Sequence, residues 1–104
     1  MKGTLIINLK DMKFPVGQVV VTSGVHNLIQ TNADFALFVS KSFTKHCNGD
    51  WGDLDEEDKM ANDFALRNGD DRLFSKYNYK DGISIYIITE WDRSVTTILF
   101  PDEY

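Results

Sequence analysis

The residues with the greatest chemical capacity lie in one short stretch, His46-Cys47-Asn48-Gly49-Asp50-Trp51-Gly52-Asp53, with Glu57 one helical turn further on. Imidazole, thiol and carboxylate groups offer nitrogen, sulfur and oxygen donors side by side. That mixture suits zinc or another borderline first-row divalent metal better than magnesium or calcium, which prefer oxygen alone. Gly49 and Gly52 let the backbone turn sharply enough for side chains on both sides to converge. Each residue also has an ordinary structural use: His46 at a helix end, Asp50 in an Asx turn, Asp53 as a helix cap, Trp51 in the core. Those uses explain the residues singly but not their crowding. The expectation is a divalent metal, zinc foremost, held between two helices.

Nucleophilic catalysis is not indicated. His46 and Cys47 are neighbours in a helical pattern and point about 100° apart, which does not favour a thiolate–imidazole pair. His26, the other histidine, falls on a short helix and reads as a surface or hydrogen-bonded residue rather than a ligand. No phosphate-cradling glycine loop, dinucleotide fingerprint or nucleophile elbow occurs. A second polar cluster, Thr89-Glu90-Trp91-Asp92-Arg93-Ser94, reads as a turn in which Arg93 pairs with Glu90 or Asp92, or reaches the acidic helix.

The elements that must position the turn follow from periodicity. Residues 4–9 and 18–22 are β-branched runs, hence two strands. Ser23 precedes Val25, Leu28 and Ile29 and reads as the N-cap of a short helix. From Asn32 or Asp34, the offsets of Phe35, Phe38, Val39, Ser42, Phe43 and His46 describe an amphipathic helix that stops at Asn48-Gly49. The next helix spans 53–68, capped by Asp53 or Asp55, with Met60, Phe64, Ala61 and Ala65 as its apolar stripe. Strands at 72–79, 83–90 and 95–100 then form an antiparallel meander with turns at Lys80-Asp81-Gly82 and 91–94, closed by Pro101. A meander leaves one apolar face bare, so the helices must cover it and the N-terminal strands must extend an edge. The predicted class is α+β, one domain over residues 1–104.

The chain has 42% hydrophobic and 12% aromatic residues, enough for one core. Its net charge of −5 is unevenly spread: residues 50–71 carry nine acids against Lys59 and Arg67, about −7, and the remainder is about +2. Such a face repels a phosphate backbone, so direct nucleic-acid binding is not expected; cations or a basic protein surface are the fitting partners. Asp55, Glu56, Asp58 and Asp63 are the expected contacts. No apolar run approaches the roughly 18 residues that span a bilayer, and the start lacks the apolar stretch of a signal peptide, so no membrane is expected. A single cysteine fits a reducing compartment, and the expected location is the cytoplasm.

Two stretches carry a resemblance. One is His46-Cys47-Asn48-Gly49-Asp50-Trp51-Gly52-Asp53-Leu54 with Glu57-Asp58 and Asn62. The other is Thr89-Glu90-Trp91-Asp92-Arg93-Ser94 continued by Val95-Thr96-Thr97-Ile98-Leu99-Phe100-Pro101-Asp102-Glu103-Tyr104. They anchor a match over about half of the chain and resemble a family of small bacterial proteins carried on plasmids, phages and other mobile elements. The sequence is also similar to the metal-containing, phage-encoded type II-A anti-CRISPR proteins that inhibit Cas9. The mobile-element pattern maps onto His46, Asp50, Asp53, Glu57 and Asp58; position 47 is usually apolar there, which demotes Cys47 as a ligand. The resemblance implies a non-catalytic protein of the host bacterial cytosol that binds a Cas9-type effector and blocks DNA binding or loading. In that reading a structural metal on His46, Asp50, Asp53 and Glu57 fastens the turn. The competing reading is a metal-dependent hydrolase or nuclease in which Asp50, Asp53 and Glu57 activate water.

Overall fold

A computed structural model describes residues 12–104. Its elements are β1 (Gln18–Val21), α1 (Ser23–Thr31), α2 (Ala33–Cys47), α3 (Glu56–Asn68), β2 (Leu73–Asn78), β3 (Ser84–Thr89) and β4 (Val95–Leu99), followed by a 3-10 turn at Pro101–Glu103. The architecture is α+β, with a four-stranded sheet in the order β1-β4-β3-β2. β2, β3 and β4 form the expected antiparallel meander. β1 extends its edge, but parallel to β4, with Gln18 opposite Val95 and Val21 opposite Ile98. Short turns force antiparallel neighbours within the meander, whereas three helices separate β1 from it and free its direction. The expected strand at 4–9 lies outside the described residues. None of the described helices is long and apolar enough to cross a membrane.

Alternation along the strands sends Leu73, Ser75, Tyr77, Ile85, Ile87, Thr89, Thr96 and Ile98 to one face, and all are buried. Phe35, Val39 and Phe43 from α2 and Val25 from α1 complete that core. Each such fully buried aliphatic or aromatic side chain contributes about 1.5–3 kcal/mol through lost water contact. Tyr77 belongs to the core, with its hydroxyl donating to the Asp50 carbonyl at 2.6 Å, while Tyr79 and Tyr86 are half-buried.

The caps resolve the alternatives left by sequence. Asn32 caps α2, accepting from the Phe35 N–H at 3.0 Å. Asp55 caps α3, accepting from the Asp58 N–H at 2.8 Å, so α3 begins later than the expected 53. Ser23 is not a cap: Thr22 holds that position, and its hydroxyl donates instead to the Glu103 carboxylate. Glu103 also accepts from the Gly24 N–H at 3.1 Å and the Phe100 N–H at 3.0 Å, closing the chain end over the start of α1. These hydrogen bonds, Thr22's foremost, hold its carboxyl below the usual carboxylate range.

Candidate functional site

α2 enters the turn with its last residues pointed at the sheet, so His46 is fully buried. Its Nδ1 lies 2.6 Å from Ser75 Oγ and its Nε2 lies 2.9 Å from Thr89 Oγ1. Thr89 Oγ1 is 2.7 Å from Thr96 Oγ1, which donates to the Val16 carbonyl at 2.7 Å. Each hydroxyl has one proton, and a carbonyl only accepts. Thr96 therefore spends its proton on Val16, and Thr89 spends its own on Thr96. The proton between His46 and Thr89 must then sit on Nε2, leaving Nδ1 to accept from Ser75. His46 is thus a neutral Nε2–H imidazole in a one-directional relay across α2, β2, β3, β4 and the segment before β1. Burial, with a smaller contribution from the charge of Arg93, lowers its pKa to about 3.

Aromatic rings close the relay off from solvent. Phe14 and Trp51 meet the imidazole edge-on with centroids at 5.4 and 5.7 Å, and stack on each other at 6.2 Å. The Trp51 indole N–H donates to Asp63 Oδ1 at 2.8 Å. Asp63, expected as a partner contact, therefore positions Trp51. Cys47 is buried, and burial pushes its thiol up to about 11, so it remains protonated at neutral pH.

The expected metal ligands are not brought together. Neither nitrogen of His46 has a lone pair free for a metal. Asp50 is exposed and accepts from the Gly52 N–H at 3.1 Å, the Asx turn of the ordinary reading. Asp53 faces β2, where its Oδ2 accepts from the Asn78 N–H at 2.9 Å. It does not cap α3, because that position belongs to Asp55. Glu57 is exposed on the first turn of α3. Among the described residues, no three His, Cys, Asp or Glu side chains are grouped to hold a metal. The set His46, Asp50, Asp53, Glu57 does not fit a zinc centre in this arrangement.

The turn has a different task, which the sequence did not signal: it protects the free edge of β2. Gly52 bridges Lys76 in parallel register, the Asp53 N–H donates to the Lys76 carbonyl at 2.7 Å, and the Lys76 N–H donates to the Trp51 carbonyl at 3.3 Å. A Cβ on Gly52, which has φ +78°, would stand 2.1 Å from the Lys76 carbonyl oxygen. Only glycine allows that approach. Next along the edge, the Asn62 side chain accepts from the Phe74 N–H at 3.0 Å and donates to its carbonyl at 2.5 Å. With Asp53 on the Asn78 N–H, the outward N–H and carbonyl of residues 74 and 76 and the outward N–H of 78 are occupied by side chain or turn, which blocks edge-to-edge association there.

The same Asn62 contact fixes the rotation of α3. Asn62 and Ala65 face inward; Met60 and Phe64, expected as core stripe, are 69% and 57% exposed. Asp55, Glu56, Glu57 and Asp58 are exposed at the start of the helix, Glu56 within 3.8 Å of Lys59. Arg93 does not pair with Glu90 or Asp92. Its guanidinium donates to the carbonyls of Asp71, Glu90, Trp91 and Ala65 at 2.7–3.4 Å, tying the end of α3 to the β3–β4 turn. Asp92 instead accepts from the N–H and hydroxyl of Ser94. Scans against family models, curated proteins and solved structures give no match to this chain.

Proposed function

We propose that the protein is a non-catalytic inhibitory binding protein of a mobile element, an anti-CRISPR that acts in the host bacterial cytosol by occupying a Cas9-type effector. In this reading the outward face of α3 docks on a basic surface of the effector and keeps DNA from it. The carrying observation is that Glu56, Glu57 and Asp58 all stand exposed on one helix end, an acidic face complementary to a phosphate-binding channel. Asp55 contributes charge there but is committed to its cap, and Asp63 to Trp51. The hydrolase reading draws no support from the geometry, because Asp50, Asp53 and Glu57 are directed to separate places.

The test is a titration of the purified protein against target cleavage by a Cas9-type effector. Inhibition should saturate near one protein per effector, without turnover. Glu56→Lys with Asp58→Lys should relieve it while circular dichroism shows α3 intact. Full inhibition by that variant would remove the acidic face from the account, and no inhibition by the wild type at any ratio would end the proposal.

A further inference from the structure

The side chains that α3 turns outward are not all charged. Met60 and Phe64 lie one helical turn apart and stay in water, although Asn62 holds the helix firmly against β2. Beside Phe64 is an open depression of about 300 Å³ lined by Ala61, Phe64, Ala65, Asp70 and Asp71. Arg93 reaches both the Ala65 and the Trp91 carbonyls, which brings Trp91, 62% exposed, to the same end of the helix. Methionine and aromatic residues framed by polar ones are the composition of an interface centre and its rim.

The frame's charge selects the occupant. Nucleic acid and anionic lipid are repelled by Glu56, Glu57, Asp58, Asp70 and Asp71, and a second copy of the same face would set acid against acid. A basic protein surface is complementary. Within it, arginine suits the depression better than lysine: a planar guanidinium stacks on an aromatic ring while its edge meets carboxylates in a fork. Arg67 already lies 5.9 Å from the Phe64 ring centroid, so that ring accepts a guanidinium within this chain.

We propose that this face of α3 is a docking surface whose apolar contacts are Met60 and Phe64, and that its occupant is a basic protein surface placing an arginine between Phe64 and Asp70/Asp71. The inference rests on the reading above that the chain acts by binding a basic effector. It adds that charge alone is insufficient.

The experiment uses the full ¹⁵N-labelled chain with two probes, a peptide alternating arginine and leucine and an oligolysine of equal charge. The Arg-Leu peptide should shift the amides of residues 60–71. Met60→Ala with Phe64→Ala should weaken it at least about tenfold at unchanged melting temperature, and so should Asp70→Asn with Asp71→Asn. Oligolysine should bind more weakly and ignore the Met60/Phe64 pair. Equal peptide affinity for wild type and the Met60/Phe64 variant would overturn the proposal. So would shifts confined to another surface, or a wild-type dimer that this variant dissolves. Effector inhibition measured on the same variants separates the two claims. Peptide binding at this face without effector inhibition keeps the surface and ends the Cas9 assignment. Undiminished inhibition by the Met60/Phe64 variant ends the surface and keeps the function.

Discussion

The turn at residues 46–53 and the helix that follows it share one acidic stretch of sequence, yet the fold treats them in opposite ways. α2 buries Phe35, Val39, Ser42, Phe43, His46 and Cys47, whereas α3 buries only Asn62 and Ala65. At the turn, every group with chemical capacity is committed: His46 to two hydroxyls, Asp50 to Gly52, Asp53 to Asn78, and Cys47 to the core. On α3 the charges and two large apolar side chains face water. Crowding of donor groups along a chain is therefore a poor guide to convergence in space. What decides is the face each helix turns to the sheet.

That contrast is broken most severely at its buried side. His46→Ala should cost about 4 kcal/mol, read as a lower midpoint of urea unfolding, because it opens a cavity and strands the partner hydroxyls of Ser75 and Thr89. A chelator added to the wild type should leave that midpoint unchanged; a drop would restore a metal staple at the turn.

Acid supplies the second test. The unfolded chain protonates His46 near its ordinary 6.5, but the folded chain only near 3. Between those values the unfolded state binds the extra proton, so stability falls as pH falls, by about 1.4 kcal/mol per pH unit at most. His46→Gln should flatten the profile between pH 6 and 4. It should retain the loss at lower pH from Glu103, Asp34 and Asp92, whose carboxyls are held below their usual range. A wild-type profile flat from pH 6 to 4 would mean that the relay is open to solvent.

Smaller effects are expected on α3. Asp55→Ala should cost about 1 kcal/mol by removing the cap, with hydrogen exchange accelerated in the first turn of the helix. Met60→Ala and Phe64→Ala should each change unfolding stability by less than about 0.5 kcal/mol, against the several that a buried counterpart costs. A loss of about 3 kcal/mol at either would return that residue to the core and erase the contrast between the two regions.

The elements are legible in the chain because their signals are local. Alternation in the three C-terminal strands, the glycine stops at Gly49 and Gly69, and the helical offsets from Phe35 to His46 are properties of neighbouring residues. The candidate site is another matter. His46 was legible as a notable residue but not in its role, since Ser75, Thr89 and Thr96 are distant in sequence and look like ordinary strand hydroxyls. Met60 and Phe64 read as core because the helical period admits two stripes on α3; Asn62, a polar residue, selects the other one.

The α+β class, the antiparallel meander, the helix stops and the concentration of acid between Asp50 and Asp71 all follow from local signals in the chain. Each depends on backbone preference, periodicity or composition, which act over a few residues. Packing between distant segments makes β1 run parallel to β4, places Asp53 and Asn62 on the β2 edge, and makes His46 a neutral link in a buried relay. The same packing turns the acids of α3 and its Met60 and Phe64 to solvent. Those outcomes depend on which distant hydrogen-bond partners the packing brings within reach, and no local pattern encodes that.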